Sequence, residues 1–241
     1  GYTQPIDRSG DGIPEFKLEK KIVHKRREIL ENLGVKFVLN FEVQAKELSE
    51  IEDKYDAIFL GLGTYESIKG DYKGFEKDGV VEALPYLTEN TKYLMNENDA
   101  LSMDFKNQKV VVLGGGDTAM DCVRTALRQG AKKVTCVYRR DFENMPGSRK
   151  EVKHAMEEGV EFLFNHQIVE AKGDDKLSEL IAEETELFGN DGSGRKKPKV
   201  KEGTQKKIEL DKLVIAFGYQ ASPQEFFTNK KINVDDWGLI Q

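Results

Sequence analysis

Cysteine is nearly absent from this chain: there are two in 241 residues, Cys122 and Cys136, and no C-x-x-C spacing. That excludes a redox dithiol of the thioredoxin-reductase kind and an iron–sulfur cluster held within these residues. Both cysteines fall in segments expected to be buried, where a thiol behaves as a small inert hydrophobe. Histidine is scarce as well. His24, His154 and His166 stand far apart, with no metal-ligand spacing, no H-E-x-x-H pair and no Ser-His-Asp set. No side chain is nominated as an acid–base catalyst or a metal ligand. No apolar run reaches membrane-spanning length and no secretory leader opens the chain, so a cytoplasmic protein without a membrane partner is expected. Lys and Arg number 37 against 43 Asp and Glu, a net charge of −6, which gives no reason to expect nucleic acid as a partner. The length suffices for one large domain or two small ones.

What is present centres on one stretch. Lys109 leads into four apolar residues, Val110 to Leu113, which read as a fully buried parallel strand. Gly114, Gly115 and Gly116 then turn the chain. Asp117, Thr118 and Ala119 begin an amphipathic run that carries Cys122, Val123, Ala126 and Leu127 on one face and ends at Gly130. Gly114, Gly116 and Ala119 fit G-x-G-x-x-A, in which small residues permit a tight turn, close backbone approach to a pyrophosphate, and tight helix–strand packing. The phosphates would rest on the free N–H groups and positive dipole end of the helix. A second strand, Val134 to Tyr138, ends in Arg139 and Arg140. An NAD enzyme carries an acid at this strand end for the ribose 2′-OH, and an NADP enzyme an Arg for the 2′-phosphate, so NADP(H) is the expected cofactor. The bland alternative is an α/β unit with a glycine turn and no nucleotide.

Residues 1–12 are polar and turn-rich, a mobile terminus or an expression remnant. Pro14 to Leu33 forms a helix with Leu18, Ile22, Ile29 and Leu33 as its inward stripe, followed by a short strand at Val35 to Leu39. Tyr55 to Leu60 is another buried strand, running into Gly61, Gly63 and Thr64, which form either a plain loop or a crossover near a dinucleotide. Residues 66–80 read as a surface loop and Glu82 to Met95 as a helix with Pro85 in its first turn. Ser148 and Glu151 have capping-box spacing, so Ser148 should cap a helix that ends at Gly159, with Glu151 reciprocating. A third parallel strand follows at Val160 to Phe164, then strand-like stretches near 167–172, 178–187 and 198–202. Gly189 to Lys197 reads as a solvated hairpin loop whose lysines, with Lys206 and Lys207, are solubilising. Leu213 to Phe217 is a last buried strand, meeting Gly218 much as the strand ending at Leu60 meets Gly61. The nucleotide unit therefore looks inserted into another domain. The spacing of Tyr65 and Lys69 matches the acid pair of short-chain dehydrogenases, but it precedes the nucleotide strand and is set aside.

The blocks from Gly12 to Glu19, Phe59 to Tyr65, Ala83 to Pro85, Val110 to Thr125 and Tyr138 to Arg149 together resemble the small subunit of NADPH-dependent glutamate synthase. The resemblance implies an α/β fold, in which a Rossmann-like NADPH domain with a parallel sheet, helices and a β-meander is inserted into a partial FAD-type domain. It places a partial FAD segment with the N-terminal tail at 1–62, the NADPH domain at 63–218, and the start of the returning FAD segment at 219–241. By the same resemblance, the turn from Gly114 to Ala119 holds the pyrophosphate and Arg139 and Arg140 the 2′-phosphate. Glu151 is a candidate at the ribose end, and Gly61, Gly63, Thr64 and Gly218 mark the two crossovers. In that family NADPH reduces FAD, and electrons pass through iron–sulfur clusters to a large subunit that aminates 2-oxoglutarate. The FAD fingerprint is absent here, so this chain alone is not expected to hold FAD or to catalyse the reaction. The alternative function is a non-catalytic pyridine-nucleotide-binding module that docks to a partner protein.

Overall fold

A computed structural model describes residues 12–241. The expectation of a mobile terminus at 1–12 falls, up to residue 11, outside the described residues. The chain falls into two compact units, one containing residues 12–20 with Lys69–Phe217, the other Lys21–Ile68 with Gly218–Gln241.

The first of these holds the nucleotide stretch. Its five-stranded sheet is parallel throughout, in the order β2 (Val80–Glu82), β10 (Lys212–Ile215), β3 (Lys109–Leu113), β4 (Lys133–Tyr138) and β5 (Glu161–Phe164). The run β3–α4–β4–α5–β5, with α4 at Asp117–Arg128 and α5 at Arg149–Glu157, supplies two successive crossovers, and α3 (Ala83–Leu94) follows β2 directly. Between β5 and β10 the chain makes a meander, β6 (His166–Lys172), β7 (Glu179–Phe188), β8 (Lys197–Val200) and β9 (Lys206–Glu209). β6, β8 and β9 all pair antiparallel with β7.

The two periodicities explain the layers. On β3, Val110 and Val112 point into a core shared with Leu87 of α3, Val123 of α4 and Val152 of α5. Val111 and Leu113 point the other way, into a core with Ile168, Leu180 and Ala182 of the meander. A strand covered on both faces has no polar side to show, which is why β3 reads as an unbroken apolar run. Both cysteines are free and buried in the helix-side core, and burial pushes the Cys136 thiol up to about 12, the inert state expected of them.

The second unit contains most of α1 (Lys20–Asn32), then α2 (Ala45–Glu52) and a two-stranded ribbon of β1 (Glu66–Ser67) with β11 (Tyr219–Gln220). Lys230 ties its C-terminal stretch to α2, with Nζ 2.5 Å from the Glu52 carboxylate. Here several expectations fail. Val35 to Leu39 and Tyr55 to Leu60 are irregular rather than buried strands, with Val38 68% and Phe59 94% exposed. Apolar composition alone does not make a strand; a ladder partner is needed, and among the described residues neither segment pairs. The expected stripe of α1 is likewise exposed at Ile22, Ile29 and Leu33, and α1 begins six residues later than Pro14. Two short strands were unforeseen in the first unit, β2 at the end of the loop expected at 66–80, and β9, whose Lys206 and Lys207 pair with Ala182 and Ile181 of β7.

Tyr86 and Phe105 are fully buried and stacked, with ring centroids 4.5 Å apart, and both bond to Gln129. Phe105→Ala is expected to cost about 3–5 kcal/mol by leaving a cavity beneath α3. Urea denaturation followed by circular dichroism measures it; a loss below about 1 kcal/mol would mean this contact does not anchor the helix layer.

Candidate functional site

The glycine turn lies where β10, β3 and β4 end together. Gly114 has φ +146°, and a Cβ there would stand 2.3 Å from the Ala216 carbonyl oxygen. A Cβ on Gly115 would stand 2.5 Å from the Tyr138 ring. Gly116 is different: among the described residues nothing lies within 4 Å of its Cβ position, so the turn faces open space there. Gly116 occupies the N-cap of α4 without a capping side chain, and the N–H groups of Asp117, Thr118 and Ala119 have no carbonyl within the helix to meet. A crowded back, an open front and uncapped N–H groups at a positive dipole end together make a cradle that suits a pyrophosphate.

Asp117 would repel a phosphate if its carboxylate turned forward. Its Oδ1 instead accepts the Ser148 N–H at 2.8 Å, and the Gly147 N–H donates to the Gly115 carbonyl at 2.9 Å. The loop before α5 is thus stitched to the turn. This changes the reading of the capping box. Ser148 is the N-cap residue of α5, but its side chain makes no cap bond. Glu151 turns away from it, accepting from Arg124 Nη1 at 2.6 Å. Arg124 also reaches Glu158, and the Phe16 ring lies 4.5 Å from its guanidinium. A buried guanidinium outcompetes a backbone N–H for a carboxylate, because charge-assisted bonds are the stronger kind. Burial by itself would raise the Glu158 carboxyl, but hydrogen bonds from Arg128 and Arg124 outweigh it and hold that group below the usual range.

The end of β4 splits the two arginines. Strand alternation carries Arg139 outward, where it is exposed, and turns Arg140 inward to the side of Tyr138, leaving it 4% exposed. Arg140 Nη2 donates to Asp191 at 2.8 Å and Nε to the Lys196 carbonyl at 2.6 Å. The hairpin loop between β7 and β8, expected to be solvated, therefore packs on the end of β4. The available signal was period two along β4, which buries Arg140 and so demands a counter-ion, though nothing in the sequence said which acid would supply it.

The remaining candidates lie in the other unit. Gly61, Gly63 and Thr64 are exposed, whereas Gly218, at φ +97°, accepts the Ile68 N–H at 3.0 Å beside the β1–β11 ribbon. A cavity of about 520 Å³ in the nucleotide unit is lined by Phe16, Tyr93, Thr125 and Arg128 and includes no residue of the glycine turn. Among the described residues, no helix is long and apolar enough to cross a membrane.

This architecture and the cradle define a class, and the chain belongs to it: residues 10–241 match the pyridine nucleotide-disulphide oxidoreductase family. More particularly, it is 46% identical to the small chain of NADPH glutamate synthase from Halomonas elongata, over 95% of this chain and 49% of that one. The small chain from Escherichia coli is also 46% identical, over 95% of this chain and 50% of that one. The chain thus spans about half the length of these curated relatives. Among solved structures, FprA of Mycobacterium tuberculosis in complex with NADPH superposes with a TM-score of 0.63 at 20% identity, covering 76% of this chain and 53% of that one, a likeness of fold.

With no side-chain bond to lose, Ser148→Ala should change stability by less than about 0.5 kcal/mol. Arg124→Ala, which strands Glu151 in a part-buried position, should cost about 3 kcal/mol. Chemical denaturation of both variants checks the pair; equal costs would restore the capping box.

Proposed function

We propose that this chain is the NADPH-binding portion of a flavin-dependent oxidoreductase of the glutamate synthase small-subunit type. The glycine turn carries the proposal: its back admits no side chain, while its front is open and lined by helix N–H groups. The relatives' names and the family match support the same reading.

In this reading, hydride passes from the nicotinamide to FAD, chemistry that the two cofactors supply between them. The protein's part is to bind and orient. Gly114, Gly115 and Gly116 bring backbone up to the pyrophosphate, and Asp117, Thr118 and Ala119 present N–H groups to it. Arg139, at the open end of β4, meets the 2′-phosphate, with Arg140 behind it. Glu151 fixes Arg124 beneath α5 and supports the ribose end from behind. No general acid or base is called for. Gly61 to Thr64 and Gly218 mark the two crossovers between the nucleotide domain at 63–218 and residues 1–62 and 219–241, which would be parts of an FAD domain. The whole protein would work in the cytoplasm, passing electrons to a glutamate synthase large subunit for reductive glutamate synthesis. Docking as a nucleotide-binding module without catalysis is less favoured, since the similar relatives are named as oxidoreductases or their subunits.

NADPH should bind in preference to NADH, and the arginines should cause it. Hydrogen bonds involving a charged group contribute about 1.5–3 kcal/mol each, toward the lower figure where water competes. Arg139→Ala should therefore reduce the preference about tenfold, and the variant lacking both arginines about a hundredfold, with NADH affinity little changed. Calorimetric titration of both nucleotides at two salt concentrations checks this. An unchanged ratio in the double variant would make these arginines mere surface charges.

A further inference from the structure

The hairpin that covers Arg140 has the chemistry of a ligand. Arg140 is 4% exposed, and the edge of its guanidinium formed by Nε and Nη2 is filled entirely by this loop, through the Lys196 carbonyl at 2.6 Å and the Asp191 carboxylate at 2.8 Å. Among the described residues, Nη1 has only the Tyr138 hydroxyl, at 3.4 Å. The other oxygen of Asp191 accepts from the Ser193 N–H at 2.9 Å, the Ser193 hydroxyl at 2.6 Å and the Arg195 N–H at 3.1 Å. A second stitch, from the Lys196 N–H to Asn144 Oδ1 at 2.9 Å, closes the loop over the strand end. Carboxylate and phosphate are both oxyanions that match one guanidinium fork, so the two cannot share that edge.

We propose that Asp191 is a specificity-determining residue that stands in for the nucleotide's 2′-phosphate: it occupies the edge of Arg140 that the phosphate must take, so that NADPH binds fully only by displacing it. The proposal rests on the NADPH reading above. NADH has nothing to offer Arg140 and leaves the hairpin latched. NADPH exchanges a single negative charge for roughly two, which favours the exchange. The displaced carboxylate has somewhere to go, because its side chain is already 23% exposed and can return to water. The loop has the freedom to move as well: Gly189 and Gly194 flank Asp191 at φ +45° and +83°, with none of the described residues packed where a Cβ would stand. Protonation does not serve as the release. The hydrogen bond from the Ser193 side chain is the chief cause holding the Asp191 carboxyl down to about 2, so the acid stays charged wherever nucleotide can be titrated.

The test compares the chain with its Asp191→Asn variant, which keeps an acceptor for Ser193 and Arg195 but removes the competing charge. NADPH affinity should rise about tenfold, the weight of one charge-assisted bond, and NADH affinity should stay as it was. In the unsubstituted chain, NADPH but not NADH should hasten trypsin cleavage after Arg195 and Lys196, a readout that needs no variant to fold. An Asp191→Asn variant that binds NADPH with unchanged or lower affinity would overturn the proposal and leave Asp191 a strut, as would a hairpin that NADPH protects. If those results come while removal of both arginines still abolishes the preference, only this inference fails. If the unsubstituted chain shows no preference for NADPH, the underlying reading fails with it.

Discussion

The approach of two backbones at the end of the parallel sheet is the constraint on which the rest depends. Gly114 passes so close to the Ala216 carbonyl that no side chain fits, while its own N–H reaches the Val137 carbonyl at 3.2 Å. Three strand ends are thereby drawn together under one turn. Without that approach α4 could not start where its N–H groups face open space, and the loop at Gly147 could not close on Gly115. Alanine at Gly114 would have to part β3 from β10 before it disturbed any nucleotide.

Covering the sheet on both faces is the second requirement, and it makes the meander more than an appendage. The helices bury Val110 and Val112, whereas Val111 and Leu113 need Leu180 and Ala182 of β7. The strand that completes the apolar core also delivers the hairpin to the end of β4, since β7 runs on from Leu180 to Phe188 and into the loop that carries Asp191. Core packing and the counter-ion of Arg140 thus depend on one strand, and lengthening or shortening β7 would alter both.

The nucleotide unit was legible in the sequence because its signals are local. Four apolar residues, three glycines and an amphipathic run name a strand, a turn and a helix without reference to anything distant. The expected insertion rested on the likeness of two apolar runs meeting Gly61 and Gly218, of which only the second contains a strand, β10. What escaped were partners. Val35 to Leu39 and Tyr55 to Leu60 have strand composition, yet a strand exists only with a neighbour, and composition does not show whether one is there. Ser148 and Glu151 have the spacing of a capping box, but Arg124, twenty-seven residues before Glu151, offers the carboxylate a better bond. Asp191 lies fifty-one residues from Arg140 in a loop whose makeup announces only solvent. Spacing conveys what a side chain can reach locally and says nothing of a stronger claimant that folding brings in.

The ribbon of β1 and β11 has a consequence for how such a chain can be assembled. It sets Ser67 opposite Tyr219, so the polypeptide leaves for the nucleotide unit and returns from it at neighbouring points. For the surrounding unit the intervening stretch, residues 69–217, behaves as a loop with almost no span. Closing a flexible loop of that length instead of a turn of a few residues would cost about 3 kcal/mol in chain entropy. A segment that folds by itself with its ends side by side removes most of that cost. Such a segment can be lengthened, exchanged or lost while the frame that carries it stays closed, and the short pairing at its neck is the seam along which this could happen.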